Sequence, residues 1–101
     1  MSDLPPLTGA QRSKLRGLGQ TMPDQIHLGR EGVTSTFAAE LNILLAAREL
    51  VKLRFTGGQD RKERAALCDA IAAASHCECV GTVGHTALFF RAKPEGGLLA
   101  G

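Results

Sequence analysis

Apolar side chains recur at helical spacing in three segments of this chain. The clearest segment spans residues 34–48, where Phe37, Leu41, Leu44 and Leu45 fall within about 100° of arc at 3.6 residues per turn. Thr8 with Gln11 opens the first predicted helix, and Asp60 with Glu63 opens the third, which runs to about residue 75. The predicted core-facing positions are Leu7, Leu15 and Leu18 in the first helix, Phe37, Leu41, Leu44 and Leu45 in the second, and Leu67, Ala70, Ile71 and Ala74 in the third.

Four other segments have the patterns of strands. Residues 25–28 form a short apolar run, and in residues 51–55 apolar and basic side chains alternate, so that Lys52 and Arg54 share one polar face. Residues 78–83 and 86–91 predict two strands joined by a two-residue connection at Gly84-His85. Glycine at the first turn position suits a type II′ hairpin.

The predicted element order is therefore α-β-α-β-α-β-β. Strand–helix–strand units imply parallel pairing with right-handed crossovers, and the closing hairpin makes the last strand antiparallel. Because Lys52 and Arg54 indicate a solvated face, we expect helices to leave that part of the sheet uncovered. We predict an α/β two-layer sandwich with a mixed four-stranded sheet. It forms a single domain over residues 8–93, between a flexible leader at 1–7 and a flexible tail at 94–101.

The net charge is only +2, but the basic residues are unevenly placed. Residues 8–21 contain three basic residues and no acid, and residues 48–64 contain six basic residues against three acids. This clustering predicts a local basic surface. The four Phe are the only aromatic residues, since Tyr and Trp are absent. The composition therefore argues against RNA recognition by aromatic platforms on which bases stack.

The three cysteines do not form a recognisable metal or disulfide pattern. An odd cysteine count without a signal peptide indicates a reducing compartment, and we expect a cytoplasmic protein. Zinc sites usually repeat a Cys-x2–4-Cys pair in two halves, and His76-Cys77-Glu78-Cys79 has no second half. We therefore predict structural thiols, no metal and no cofactor. No apolar run approaches the roughly 20 residues that a membrane span needs, so we expect no membrane partner.

A Gly-x-x-Gly sequence lies between the first predicted strand and the second predicted helix. Gly29 and Gly32 let the backbone turn sharply and approach another molecule closely, and Arg30 lies between them. The following helix directs unpaired N–H groups and its positive dipole end to the same place, which suits a phosphate. The pattern indicates a nucleic-acid backbone clamp of the kind that KH domains use. A plain strand-to-helix turn is the alternative.

Three segments together resemble the YhbY-like family of single CRM (chloroplast RNA splicing and ribosome maturation) domains. Residues 15–18, preceded by Gln11 and Lys14, resemble the basic opening helix of the family, which ends in Leu-x-Gly-Leu. Residues 28–34 resemble its Gly-x-x-Gly-aliphatic-Thr loop, and residues 83–91 resemble its terminal Gly-Lys-Thr, apolar strand and Arg. The glutamate before residues 50–54 also matches the family's Glu-Leu-x-Lys-Val junction. The resemblance covers roughly residues 8–93, with the motifs in the family's order.

The resemblance implies a fold and a partner. The fold is that of the C-terminal domain of bacterial translation initiation factor 3 with an added N-terminal helix. The family binds structured RNA, and its bacterial single-domain members associate with precursors of the large ribosomal subunit. Two positions depart from the family pattern, because Glu31 adds a negative charge to a commonly basic loop and His85 stands where lysine is usual. Both changes lower phosphate affinity at neutral pH, so we expect weaker or more selective RNA binding.

The leading hypothesis is a non-catalytic, monomeric RNA-binding protein that takes part in ribosome assembly. Lys52 and Arg54 are the weaker candidates for RNA contact, because a polar strand face is often merely solvated, and we expect His85 and Arg91 to contribute at the hairpin. An enzyme is disfavoured because no catalytic triad, P-loop or dinucleotide motif has its expected context. A protein-interaction module without direct RNA contact is the alternative. The predicted RNA-binding residues are Gly29, Arg30, Glu31, Gly32, Arg12, Lys14, Arg16, Lys52, Arg54, His85 and Arg91.

Overall fold

The computed structural model describes residues 7–93 and residue 97. The sheet has the order β1-β2-β4-β3, with β1 parallel to β2 and with β4 antiparallel to both of its neighbours. The predicted α/β class, element order and mixed sheet are confirmed. The leader and the tail lie almost wholly outside the described residues, so the domain boundaries stay predictions. The elements are α1 Gly9–Gln20, β1 Ile26–Leu28, α2 Ser35–Arg48, β2 Leu50–Phe55, α3 Arg61–Ala74, β3 Glu78–Val83 and β4 Thr86–Phe90.

Side-chain caps fix where the helices begin. At α1, the Gln11 N–H donates to Thr8 Oγ1 over 3.1 Å, and the Thr8 N–H donates back to Gln11 Oε1 over 2.9 Å. Asp60 and Glu63 form the same reciprocal pair at α3, over 2.8 and 2.9 Å. Both predicted capping boxes are confirmed.

None of the described helices combines the length and the apolar character that crossing a membrane requires.

The larger core lies between the sheet and the helices α2 and α3. It is closed by alternate residues of the strands and by one face of each of these helices, and the predicted core positions of α2 lie in it or pack against it. The prediction was wrong for Ala70 and Ala74 of α3 and for Leu18 of α1, which are exposed. Phe89 is fully buried near its centre. Its buried members are Ile26, Leu28, Phe37, Leu41, Leu45, Val51, Leu53, Phe55, Cys68, Ile71, Ala87 and Phe89.

The opposite face of the sheet is partly covered by α1, which corrects the expectation that helices leave the Lys52 face open. Leu15 of α1 is fully buried there and packs in a second cluster with Leu50, Val80, Leu88 and Phe90. Lys52 Nζ donates to the carbonyls of Gly19 and Met22, over 3.2 and 3.1 Å. The expectation failed because the Lys52 ammonium group finds its hydrogen-bond partners at the end of α1 and not in solvent. Lys52 is therefore partly buried, although it is charged.

The hairpin and an irregularity beside it shape β3. Gly84 has φ +57° and is followed by His85, which agrees with the predicted II′ connection. The register between β3 and β4 shifts between Cys79 and Gly81. Cys79 faces the larger core and Val80 joins the α1 cluster, because successive strand residues point to opposite faces of the sheet. The bulge places Val80 and Gly81 together opposite Leu88 of β4.

All three cysteines are free thiols that pack against the larger core. A hydrogen bond with Cys79, together with burial, raises the pKa of the Cys68 thiol, and the same hydrogen bond lowers the pKa of Cys79. Burial raises the pKa of Cys77 to about 11. Within residues 7–93 and 97, no three His, Cys, Asp or Glu side chains are arranged to hold a metal ion. The packing supports structural thiols.

We expect the Cys77→Ala, Cys79→Ala double variant to fold and to lose about 1–3 kcal/mol of unfolding free energy, because small apolar contacts are removed.

In the parent protein the raised pKa of Cys77 adds a pH dependence to the free energy of unfolding. Below its ordinary value of 9.0 the thiol is neutral whether folded or unfolded, and above it the unfolded chain ionises first. Urea unfolding should therefore show stability falling from about pH 9 towards about pH 11.

The single variant Cys77→Ala is the control and should show a smaller loss over this pH range. The chain has no Tyr, so no phenol group contributes to the change in stability over this pH range. Stoichiometric zinc in chelator-free protein, measured by elemental analysis, would contradict a structural role for the thiols.

Candidate nucleic-acid interface

The Gly-x-x-Gly segment forms a tight turn between β1 and α2, here called the glycine loop (residues 29–32). The Gly32 N–H donates to the Gly29 carbonyl over 3.2 Å, which leaves Arg30 and Glu31 exposed at the tip. Gly32 has φ +76°, a conformation that favours glycine. The following helix begins at once, with the Phe37 N–H donating to Thr34 Oγ1 over 3.1 Å. The loop has the sharp backbone turn that its sequence predicts.

A second loop holds the glycine loop in place. This bracing loop (residues 56–60) joins β2 to α3, and the Thr56 N–H donates to the Leu28 carbonyl over 2.9 Å. Gln59 Nε2 donates to the Gly29 carbonyl over 3.0 Å, and Gln59 Oε1 accepts from the Gly57 N–H over 3.0 Å. A Cβ on Gly57 would lie 2.5 Å from the Arg30 nitrogen, so the two backbones require glycine to pack this closely.

The glycine loop itself leaves more room than the bracing loop. A Cβ on Gly29 would meet only Thr56 Oγ1, at 3.8 Å, and a Cβ on Gly32 would meet nothing within 4 Å. The surface above these two positions is therefore open to another molecule. Arg30 Nε donates to the Gly57 carbonyl over 3.3 Å, which ties the side chain to the bracing loop while the residue stays exposed.

Further cations lie at this end of the sheet. Arg61 and Lys62 are exposed in the first turn of α3. Arg64 Nη1 donates to the Gln59 carbonyl over 2.6 Å and lies 3.4 Å from Nδ1 of His85, which the fold brings to the same end. The cations of α3 are not among the predicted RNA-binding residues, although the basic cluster over residues 48–64 was the signal for them.

An open groove separates the glycine loop from α3, with a volume of about 560 Å³. Arg30 and Gly32 line one side, and Ala66 and Leu67 of α3 line the other. Gly57, Gly58, Gln59 and Glu63 complete the lining. The groove thus combines walls of backbone, an apolar floor formed by Ala66 and Leu67, and the positive charge of Arg30 from the glycine loop.

The predicted α1 contacts lie on the other face of the sheet. Arg12 forms an ion pair with Glu78 and donates to the Cys79 carbonyl over 3.2 Å. The aliphatic part of Arg16 lies over Gly81, and Lys14 is exposed. With Lys52, these side chains form a basic surface that is separate from the glycine loop.

Arg54 lies on that same face, but nearer to the glycine loop. It pairs with His27 of β1 in the sheet register, and its Nε is 3.5 Å from Asp24 Oδ1. The Asp24 carboxylate also bonds His27 Nε2 over 2.5 Å, and this hydrogen bond lowers the pKa of Asp24. Asp24 therefore partly neutralises the positive charge of Arg54.

Arg91 is placed away from the other predicted residues. Its Nη2 donates to the Ser75 carbonyl over 2.5 Å, and its backbone N–H donates to the Glu49 carbonyl over 2.9 Å. Glu49 precedes β2, whereas the bracing loop follows it, so the length of the sheet separates Arg91 from the glycine loop. The structure thus places Arg30, Glu31 and His85 at the same end of the sheet, the α1 group on a second face, and Arg91 at the far end.

The sequence is similar to those of two proteins that are named as RNA-binding. A probable RNA-binding protein of Pseudomonas aeruginosa is 29% identical over 89 residues, which cover 88% of this chain and 85% of that protein. An RNA-binding protein of Haemophilus influenzae is also 29% identical over 89 residues, covering 88% of this chain and 89% of its own.

The fold resembles the solution structure of a hypothetical Staphylococcus aureus protein described as a candidate RNA-binding protein. The TM-score is 0.81 at 22% identity, and the match covers 93% of this chain and 97% of the other. The CRS1/YhbY (CRM) domain model matches residues 7–91. The chain therefore belongs to the CRS1/YhbY (CRM) domain family.

Proposed function

We propose that this chain is a non-catalytic, cytoplasmic RNA-binding protein that acts in assembly of the large ribosomal subunit. The observation that carries the proposal is the geometry of the glycine loop. Gln59 holds its backbone through the Gly29 carbonyl, while the surface at Gly32 stays open to another molecule. The backbone amides of the loop and Arg30 supply hydrogen-bond donors and a positive charge for a phosphate. Because the loop is already held in place, it loses little conformational entropy when the anion binds. The names of the relatives support RNA as the partner.

The charge distribution supports contact with the RNA backbone. Arg61 and Lys62 lie near the glycine loop, while Lys14 and Arg16 present charge on the second face. An RNA that contacts both surfaces passes around the loop end of the sheet, near Arg54 at the end of β2. Phosphate contacts of this kind fix position without reading sequence. Large folded RNAs offer such curved backbone surfaces, which favours ribosomal RNA as the partner.

The salt dependence of RNA binding tests the proposal. We expect the logarithm of affinity for a fragment of large-subunit RNA to fall against log salt with a slope of about −3 to −4, which corresponds to roughly four to six phosphate contacts. Filter binding measures this slope directly. A flat salt response, as expected for apolar docking to a protein partner, would contradict the proposal and favour the protein-interaction alternative.

Substitutions in the glycine loop test whether it is the phosphate site. Gly32→Asp should weaken RNA binding more than Arg30→Ala, because it places a carboxylate against the phosphate. Arg30→Ala should make the salt slope shallower by roughly one unit or less. Glu31→Lys should tighten binding, since attraction replaces repulsion at the tip. RNA titrations of the three variants measure these effects.

Gly32→Asn is the matched control for Gly32→Asp. It has the same shape and tolerates the backbone conformation at φ +76°, but it carries no charge. Circular dichroism should show that all four variants fold. If the asparagine and aspartate variants bind RNA equally, the loop is only a turn and the RNA site lies elsewhere.

A further inference from the structure

We propose that the groove between the glycine loop and α3 receives the base of one unpaired RNA nucleotide. This inference rests on the proposed RNA-binding function and adds a site for a nucleobase beside the site for a phosphate. The groove has a volume of about 560 Å³, which lies within the range of roughly 300–1,000 Å³ typical of small-ligand sites.

The lining of the groove suits a flat, partly apolar ligand. Ala66 and Leu67 give it an apolar floor, while Gly32, Gly57 and Gly58 build walls without side chains. Backbone walls let a planar ring approach closely and leave peptide groups available for hydrogen bonds. A base has apolar faces and polar edges, which matches this combination.

The charged side chains favour a base inside the groove and a phosphate at the glycine loop. Glu63 lines the groove, and its Oε1 already accepts the Asp60 N–H of the capping box over 2.9 Å. A carboxylate repels a phosphate, but it accepts hydrogen bonds from the amino group of a base. Arg30, at the tip of the glycine loop, attracts the phosphate. The nucleotide therefore enters with its phosphate at the loop and its base in the groove.

No aromatic platform competes for the base. All four Phe side chains are at most 7% exposed, and the chain has no Tyr or Trp. Bases that stack on a protein surface usually lie on exposed aromatic rings. The groove is the place at the loop end of the sheet where an apolar floor and hydrogen-bonding groups occur together.

Two RNA hairpins test the proposal, one with a fully paired stem and one with a single bulged 2-aminopurine nucleotide in the same stem. The parent protein should bind the bulged hairpin about tenfold more tightly, as expected when a modest apolar area is buried. The fluorescence of 2-aminopurine should rise on binding, because the base leaves the RNA stack.

Ala66→Leu fills the groove with a residue that favours helix, and Ala73→Leu makes the same change two turns further along the same exposed face of α3, at a position that does not line the groove. Ala66→Leu should remove the tenfold preference and the fluorescence change while keeping affinity for the paired hairpin, and Ala73→Leu should retain both. Equal binding of the two hairpins by the parent, or identical behaviour of the two variants, would overturn the groove site and leave the proposed function standing. Failure of the parent to bind either RNA would overturn both.

Discussion

The side-chain amide of Gln59 joins the two loops on which the candidate interface depends. Its oxygen accepts from the Gly57 N–H and its nitrogen donates to the Gly29 carbonyl, so the amide links the backbone of one loop to the backbone of the other. Gly57 allows those backbones to lie in contact because a Cβ there would collide with Arg30. The position of the glycine loop, the direction of Arg30 and the width of the groove all follow from this contact. An RNA meets a loop that is already in place, which lowers the entropic cost of binding.

The sheet carries two different surfaces because its strands bury residues on both faces. The larger core fixes α2 and α3 and therefore one side of the groove, while Leu15 holds α1 on the other face. Lys52 stabilises the end of α1 instead of remaining free in solvent. Arg12 is likewise bound to β3. Several basic residues of this face thus support the fold, and exposed ones such as Lys14 remain available to an RNA.

Local patterns made most of the fold predictable from the sequence. The helical spacing in residues 34–48 and the Asp60–Glu63 cap each depend on near neighbours, and both are confirmed. The position of α1 was not predictable in this way, because alternation identifies a polar face without showing which carbonyls Lys52 reaches. The shift near Val80 depends on pairing with β4, which no local pattern encodes.

The candidate site was predictable only in part. Gly29 and Gly32 indicated the loop directly, since a turn with positive φ restricts the residue type. The role of Gln59 was not visible, because its two partners lie two and thirty positions away in the chain. Arg91 matched a family pattern, but its guanidinium bonds the Ser75 carbonyl at the opposite end of the sheet. Sequence motifs therefore identified the loop, and only the fold showed which cations surround it.

Amide chemical shifts of the 15N-labelled protein, followed during titration with a large-subunit RNA fragment, test the central claim most directly. If the glycine loop binds the RNA, the largest changes should occur at residues 29–32 and 57–62, where the glycine loop meets the bracing loop and α3. Little change should occur around Ser75 and Arg91, at the far end of the sheet. Changes confined to that far end or to the exposed side of α2 around Ile43, with residues 29–32 unaffected, would contradict that claim.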